Sequence, residues 1–383
     1  MKGTHSALFI LAAIGGLSGC QTVPTTSQSS SIWPIQNLQW IGETRIPNNT
    51  HFNHTWVGGL SGIDYNPKTK QWVVISDDRV EHGPARAYLG TMTITATQIS
   101  PFKINQMVTF YQPDDHPYLS AKQFDHHGTV PDFESIRFNP NNHTLRYTSE
   151  GDRKLWLNPF IRDASVLDGQ FRDSVAVPKQ IKLQNKQPEY GFYDNLALEG
   201  SSFTPSGEYY YAAMEAPVKQ DGNVPNGKHG ANARLTKYDA SGHIVAEYVY
   251  PVDAWPANPG KGKHADNGVS EILAIDNNHL LFLERAGIQD AKGSYHNFIR
   301  IYEVSTQGAT NVMNQDSLAS TSFKPMKKHL LLNLNTLNLK QLDNIEGISF
   351  GPTLEDGTKT LVLISDNNFN RHEITQLLAF SIH

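Results

Sequence analysis

Carboxylic acids recur at two positions of a pattern that the chain repeats five times. The first position holds Ser61, Glu134, Glu199, Glu271 and Glu346. The second position holds Asp77, Glu150, Glu215, Glu284 and Asp366. Nine like charges brought together would repel one another and lose their ionisation unless cations compensated them. Oxygen donors without cysteine or regularly spaced histidine suit hard cations, so these nine acids predict a metal site for Ca²⁺ ahead of Mg²⁺.

Basic residues follow the second acidic position closely, namely Arg79, Arg153, Arg285 and Arg371. A planar guanidinium can bind two oxygens of a phosphate at once, so a surface with both Ca²⁺ and arginine would suit a phosphate ester as substrate. Two other interpretations stay open. Each arginine could be solvated, and each acid could cap a turn or pair with a basic residue of a neighbouring repeat.

The acids at the first position also supply the candidates for catalysis, Glu134, Glu199 and Glu346, although no motif assigns the catalytic residue. Ser61 lies in Gly59-Leu60-Ser61-Gly62 on a predicted strand, and the chain lacks the Gly-x-Ser-x-Gly motif of a nucleophile elbow. Asp125-His126-His127 indicates a solvated loop rather than a transition-metal site.

The repeated pattern is typical of a β-hairpin. Short runs of β-branched, aromatic and aliphatic residues flank a turn such as Asn66-Pro67-Lys68-Thr69. The first acidic position recurs after 73, 65, 72 and 75 residues, counted from positions 61, 134, 199, 271 and 346. Such regular spacing indicates a repeat architecture.

Further strand-like runs follow each hairpin. They span residues 86–95 and 104–110, 154–160 and 176–183, 234–239 and 243–250, 298–304 and 328–333, and 374–382. The fifth hairpin is followed by one run only, and residues 38–46 would supply its missing partner. Four strands per repeat, with closure between the two ends of the chain, predict an all-β propeller of five four-stranded blades. A degenerate sixth blade within 92–131 or 305–343 stays open, as does a β-sandwich or a pair of β domains.

The propeller fold would bring the two sets of acids together. In an antiparallel hairpin the start of the first strand lies beside the end of the second. The first strand of each blade lines the central channel, so both acidic positions should converge at one mouth of that channel.

The N-terminal residues predict a bacterial lipoprotein. An 11-residue apolar run from Ala7 to Leu17 is too short to span a bilayer and suits a signal peptide, predicted over residues 1–19. Leu17-Ser18-Gly19-Cys20 resembles a lipobox, so Cys20, the only cysteine, should carry the acyl chains. Residues 20–33 predict a flexible tether, and residues 34–383 the propeller domain. Gln21 resembles an outer-membrane sorting signal, so we expect a lipid anchor there, facing the periplasm or the cell surface.

Several motifs resemble the β-propeller family called "esterase-like activity of phytase". They are Gly59–Asp64, Asp132–Ile136, Asn195–Gly200, Gly268–Ile272, Asn344–Ile348 and Ile364–Asn368. The resemblance extends from about Trp56 to the C-terminus. It implies an extracytoplasmic propeller with phosphoesterase or esterase activity, on phytate-like phosphates for example, but it transfers no catalytic residue.

These observations predict a Ca²⁺-dependent hydrolase that acts on a small phosphate ester or other ester at an acidic propeller mouth. The alternatives are a lactonase-type Ca²⁺ propeller and a non-catalytic propeller that binds a ligand or protein at the cell surface. A net charge of −5 argues against a nucleic-acid partner. We expect a monomer that reaches the membrane through its lipid.

Overall fold

The computed structural model describes residues 33–184 and 187–383. The predicted signal peptide, Cys20 and the tether up to residue 32 lie outside the described residues. No described helix is long and apolar enough to cross a membrane.

Strands dominate the described chain because short β-branched and aromatic runs alternate with turns. The strands are β1 (Leu38–Ile46), β2 (His51–Phe52), β3 (Thr55–Trp56), β4 (Leu60–Asn66), β5 (Gln71–Ser76), β6 (Arg86–Thr91), β7 (Lys103–Thr109), β8 (Phe133–Phe138), β9 (Thr144–Ser149), β10 (Phe160–Ser165), β11 (Phe171–Val175), β12 (Leu198–Phe203), β13 (Tyr209–Met214), β14 (Ala231–Asp239), β15 (Ile244–Val252), β16 (Gly268–Ala274), β17 (His279–Gln289), β18 (Tyr295–Ser305), β19 (Lys327–Asn333), β20 (Asn344–Phe350), β21 (Lys359–Asp366) and β22 (Thr375–Ile382). Single 3₁₀ turns lie at Lys179–Ile181, Lys219–Asp221 and Leu334–Thr336.

Five four-stranded antiparallel sheets form the blades of a β-propeller. Blades one to four run in chain order as β4 to β7, β8 to β11, β12 to β15 and β16 to β19. Blade five has the order β1-β22-β21-β20, so the N-terminal strand completes the last blade. Leu38 lies opposite Ile382 and Ile46 opposite Thr375. The five-blade fold and its closing strand are confirmed, and the segments 92–131 and 305–343 contribute β7 and β19 rather than a sixth blade.

The two outer strands of blade two lie where the sequence pattern did not predict them. The sequence predicts strands over residues 154–160 and 176–183, whereas the structure forms β10 and β11 instead. The sequence of β10 does not show a strand pattern, because the charged pair Arg162-Asp163 lies in its middle. Asp163 is buried all the same, since Arg146 of β9 donates two hydrogen bonds of 2.7 Å to its carboxylate.

The first strand of each blade packs against those of the two neighbouring blades around the axis. Small residues allow this approach: a Cβ on Gly200 would lie 2.6 Å from the backbone nitrogen of Ile272. Arg137 of blade two occupies the axis itself. Its guanidinium donates to backbone carbonyl oxygens of the other four blades, those of Ile63, Ser201, Ile272 and Ile348, at 2.6–2.9 Å. The central channel is therefore filled by a side chain below its mouth.

Candidate active site

A polar cavity of about 650 Å³ opens at the end of the propeller where β5 ends and β8, β12 and β20 begin. Four of the predicted acids line it, namely Asp77, Glu134, Glu199 and Glu346. The hairpin geometry accounts for this convergence, since the backbone N–H of Asp77 donates to the carbonyl of Gly59, just before β4. We call this cavity, with the acids around it, the mouth.

Three further predicted acids lie deeper than this lining. Glu150, Glu215 and Asp366 are at most 4 % exposed. Glu134, Glu150 and Glu199 each offer a carboxylate oxygen within 4.8 Å of the other two. We refer to these three residues as the glutamate triad. The structure therefore places seven of the nine predicted acids at or just below one mouth, and their role as metal ligands stays a prediction.

The carboxyl groups of the glutamate triad hold their protons more tightly than in water. Burial raises the pKa of each of the three well above its ordinary value, and the charges of neighbouring acids raise it further. Burial likewise raises the pKa of Glu215 to about 8, although Arg285 opposes the shift. A cation in the mouth would relieve the same repulsion without requiring protonation.

Blade four departs from the predicted arrangement by one residue in both strands of its hairpin. Leu60 pairs with Ser76 in blade one, and the corresponding pair in blade four is Val269 with Glu284. Ser270 and Arg285, rather than Glu271 and Glu284, therefore occupy the two repeat positions. Because neighbouring side chains on a strand point to opposite faces, the shift turns both glutamates away from the mouth. Their predicted role in the acidic rings is wrong.

Glu271 instead lies on the propeller axis, below the mouth. Its carboxylate is 2.8 Å from the guanidinium of Arg137 and accepts hydrogen bonds from the Ser135 hydroxyl at 2.9 Å and the Ser201 backbone N–H at 2.7 Å. Burial raises its pKa to about 7 while Arg137 opposes the shift. Glu271 thus forms an internal ion pair, the alternative that sequence reasoning left open for every acid.

Glu284 is fully buried on the other face of blade four. Lys328 donates to its carboxylate at 2.8 Å, Arg300 at 3.2 Å and the hydroxyl of Tyr250 at 2.7 Å. Lys328 and Arg300 also pair with Asp253, at 2.5 and 3.2 Å, so two cations of the chain compensate two carboxylates and Glu284 needs no external ion.

Arg285 takes the place of an acid in the mouth. Its guanidinium lies 3.5 Å from Glu215 and 3.7 Å from Glu346, and its Nε has no hydrogen-bond partner within the described chain. Burial lowers its pKa, but the charges of Glu346 and Glu215 outweigh burial and raise the pKa overall. Arg285 therefore stays charged while several of its hydrogen-bonding directions stay open.

The other predicted arginines differ in position. Arg79 lines the mouth and pairs with Asp132 at 3.1 Å and Asp152 at 2.5 Å. Arg153 donates to backbone carbonyls, among them that of Phe192 at 2.8 Å, and Arg371 is exposed. Neither Arg153 nor Arg371 belongs to the described lining of the mouth, and their role in substrate binding stays a prediction.

Sequence reasoning missed further acids of the mouth, among them the buried Asp132. Burial raises the pKa of Asp132 to about 7, against the opposing charge of Arg79. Its carbonyl accepts the backbone N–H of Glu150, so its place immediately before a first strand was the available signal. Asp266, Asp343 and Glu373 also line the cavity, but they lie outside the repeated pattern.

Comparison with known proteins identifies a family for the chain. The family model described as "Phytase-like: Esterase-like activity of phytase" matches residues 55–369. No curated protein matches the chain significantly. An endo-arabinase from Bacteroides thetaiotaomicron has a similar structure, with 11% identity, a TM-score of 0.43 and coverage of 87% of this chain and 95% of that one. The catalytic domain of the Coprinopsis cinerea α-L-arabinofuranosidase is also similar, with 9% identity, a TM-score of 0.41 and coverage of 90% of this chain and 97% of that one. At these values no activity carries over from either protein.

Proposed function

The chain belongs to the family described as esterase-like activity of phytase, and from this premise we propose that it is a cation-dependent hydrolase of small phosphate esters. The observation that supports the proposal is the convergence of the glutamate triad beside Arg285. A site for anions alone would not gather carboxylates, and a site for cations alone would not hold an arginine among them. A phosphate ester with a divalent cation matches both.

The donors fit a hard divalent cation. The glutamate triad offers three carboxylate oxygens within reach of one ion and includes no sulfur or imidazole, a set that suits Ca²⁺ ahead of Mg²⁺. When bound, the cation would neutralise charge on the ester and polarise a phosphoryl oxygen. Glu134, Glu150 and Glu199 would hold it.

Arg285 is the residue we expect to orient the phosphate group. Its long contacts to Glu215 and Glu346 leave N–H donors free for phosphoryl oxygens. Charge-assisted hydrogen bonds of this kind are the strong ones, and a bidentate pair also fixes orientation. Arg79, which is held by Asp132 and Asp152, would add positive potential at the rim of the mouth.

Glu346 is the residue we expect to act as general base. It lines the cavity and lies outside the triad, and one of its oxygens is held by the Asn344 side chain at 2.8 Å. Burial raises its pKa while Arg285 opposes the shift. Glu346 would take a proton from a water molecule that attacks phosphorus, the ester P–O bond would break, and the leaving alcohol would take up a proton.

Hydrolysis of p-nitrophenyl phosphate and p-nitrophenyl acetate, each in Ca²⁺ and in EDTA, tests the proposal. We expect phosphate release in Ca²⁺ only, and Arg285→Gln should lower kcat/KM at least tenfold. Arg172→Gln, at an exposed arginine outside the lining of the mouth, is the matched control and should leave kcat/KM unchanged. Hydrolysis of the acetate alone would favour the carboxylic-ester or lactone alternative. No hydrolysis by folded, Ca²⁺-loaded protein would favour a binding propeller.

We also propose that the protein is anchored to a bacterial membrane through Cys20. The lipobox-like sequence and the lone cysteine support this proposal. Cys20→Ser should abolish incorporation of a radiolabelled fatty acid, and equal labelling of the variant would contradict it.

A further inference from the structure

Asp366 carries a buried carboxylate oxygen that the described chain does not satisfy. The residue is 0 % exposed, and its Oδ1 accepts the backbone N–H of Asn368 at 2.9 Å. Its Oδ2 has no hydrogen-bond partner among the described residues. A buried polar atom without a partner is costly, and a charged one more so, which points to a ligand that the protein itself does not supply.

Among the acids of the repeat, Asp77 lies across the seam from Asp366, where blade one meets blade five. Asp77 follows the second strand of blade one and Asp366 ends the second strand of blade five. Gly59 makes room for the Asp77 carboxylate: its φ is +61°, and a Cβ there would overlap Asp77 Oδ1. Burial raises the pKa of Asp77 well above its ordinary value, and repulsion by the charge of Asp366 raises it further.

Neutral side chains already join the two blades at this point. The Asn367 Oδ1 accepts the backbone N–H of Gly59 at 3.0 Å, and its Nδ2 donates to Asn48 Oδ1 at 3.2 Å. Asn48 in turn donates to the carbonyl of Glu373 at 2.7 Å. The backbone around Asp77 and Asp366 is thus held in place, although their carboxylates have no cation from the chain within salt-bridge distance in its described part.

We propose that Asp77 and Asp366 hold a second divalent cation, separate from that of the glutamate triad, which clasps blade one to blade five. The triad residues belong to blades two and three, whereas this pair spans the closure of the ring. Glu346 lines the same mouth, and its charge raises the pKa of both Asp77 and Glu134. The inference extends the proposed cation-binding mouth, but it assigns this ion to stability rather than to catalysis.

Calorimetric titration with Ca²⁺ alone measures the number of sites. We expect two equivalents for the wild type, one for Asp366→Asn or Asp77→Asn, and one for Glu150→Gln. Both equivalents should be lost when Asp366→Asn and Glu150→Gln are combined. Glu303→Gln is the matched control, since Glu303 is a fully buried carboxylate outside the lining of the mouth and should keep two equivalents.

Amide hydrogen exchange tests whether the second cation also stabilises the closure between blade one and blade five. Ca²⁺ should slow exchange in β1 and β22 at least tenfold in the wild type and in Glu150→Gln, but not in Asp366→Asn. Two equivalents retained by both aspartate variants would overturn the inference, as would exchange in β1 and β22 that ignores Ca²⁺. If Glu150→Gln keeps all Ca²⁺ and all activity while Asp366→Asn loses an equivalent, the proposed function fails and the clasp stands.

Discussion

Blades two and three differ from blade four in what surrounds their acids, although the same repeat builds all three. Glu134, Glu150 and Glu199 converge on one another, and acids surround them. Glu284 lies among Lys328, Arg300 and a tyrosine hydroxyl, and Glu271 lies against Arg137. Buried carboxylates of both kinds look alike in the sequence, so the partner rather than the acid decides whether an ion is needed.

The difference separates two physical states of a buried carboxylate. An acid with its own cation is a structural ion pair, and removing one partner leaves an uncompensated charge. An acid among other acids must either keep its proton or bind an ion from solution. Conditions that change protons or metal ions should therefore act on the mouth, and substitutions that break pairs should act on blade four.

The largest expected effect is a loss of stability of the metal-free protein as pH rises. Burial raises the folded-state pKa of Glu215 from 4.5 to about 8, and that of Asp132 from 3.8 to about 7. The stabilisation that this proton binding provides is full below the unfolded-state pKa and is lost as pH rises through the folded-state value. Each proton retained only by the folded state contributes a slope of about 1.4 kcal/mol per pH unit.

Urea unfolding in EDTA from pH 5 to pH 8 measures this slope. Glu215→Gln should flatten it, because the amide does not titrate. A free energy of unfolding that stays level or rises with pH in the wild type would contradict the protonated mouth.

A second prediction concerns blade four. Glu284→Gln should lower the free energy of unfolding by about 3–5 kcal/mol, because Arg300 and Lys328 would lose their buried anion and keep only Asp253, whose side chain is 36 % exposed. The loss should be equal in EDTA and in Ca²⁺. Glu189→Gln, whose side chain is 83 % exposed, is the control and should change little. A loss that Ca²⁺ reverses would place Glu284 among the metal ligands after all.

The third prediction concerns the ion. Ca²⁺ at a hundredfold excess over its Kd should stabilise the protein by about 2.7 kcal/mol per site, since only the native state gathers the ligands. Thermal melts of metal-stripped protein with and without Ca²⁺ measure the effect. Glu284→Gln should retain the full stabilisation by Ca²⁺. A melting temperature that changes with neither Ca²⁺ nor EDTA would contradict the metal-site hypothesis.

The smallest expected effect is a gain in stability. Glu134→Gln, Glu199→Gln and Glu346→Gln should each raise the metal-free stability by about 1 kcal/mol or leave it level, because repulsion is relieved. Each substitution should also reduce the stabilisation that Ca²⁺ provides. Glu346→Gln should gain least, since Glu346 also faces Arg285. Variants that are less stable in EDTA and respond normally to Ca²⁺ would assign these acids to structural pairs.

Sequence reasoning located most of the hairpins but misjudged blade four. The series Leu60-Ser61-Gly62, Phe133-Glu134-Ser135 and Val269-Ser270-Glu271 aligns on its first residue, which is apolar and buried in each blade. Aligning on the acid instead shifted blade four by one residue. The apolar residue was the better guide, because the hydrophobic core requires it to be buried in every blade, whereas the acid is not required at each repeat.

The sequence by itself determined the five-fold repeat, the closing strand Leu38–Ile46 and the accumulation of acid at one end, since all three follow from local periodicity and antiparallel pairing. Only the tertiary structure decided which acids are paired. The partners of Glu284 come from 16 and 44 residues further along the chain, and Glu271 meets Arg137 across the axis from another blade. Electrostatic compensation depends on distance in space, and no spacing along the chain encodes that distance directly.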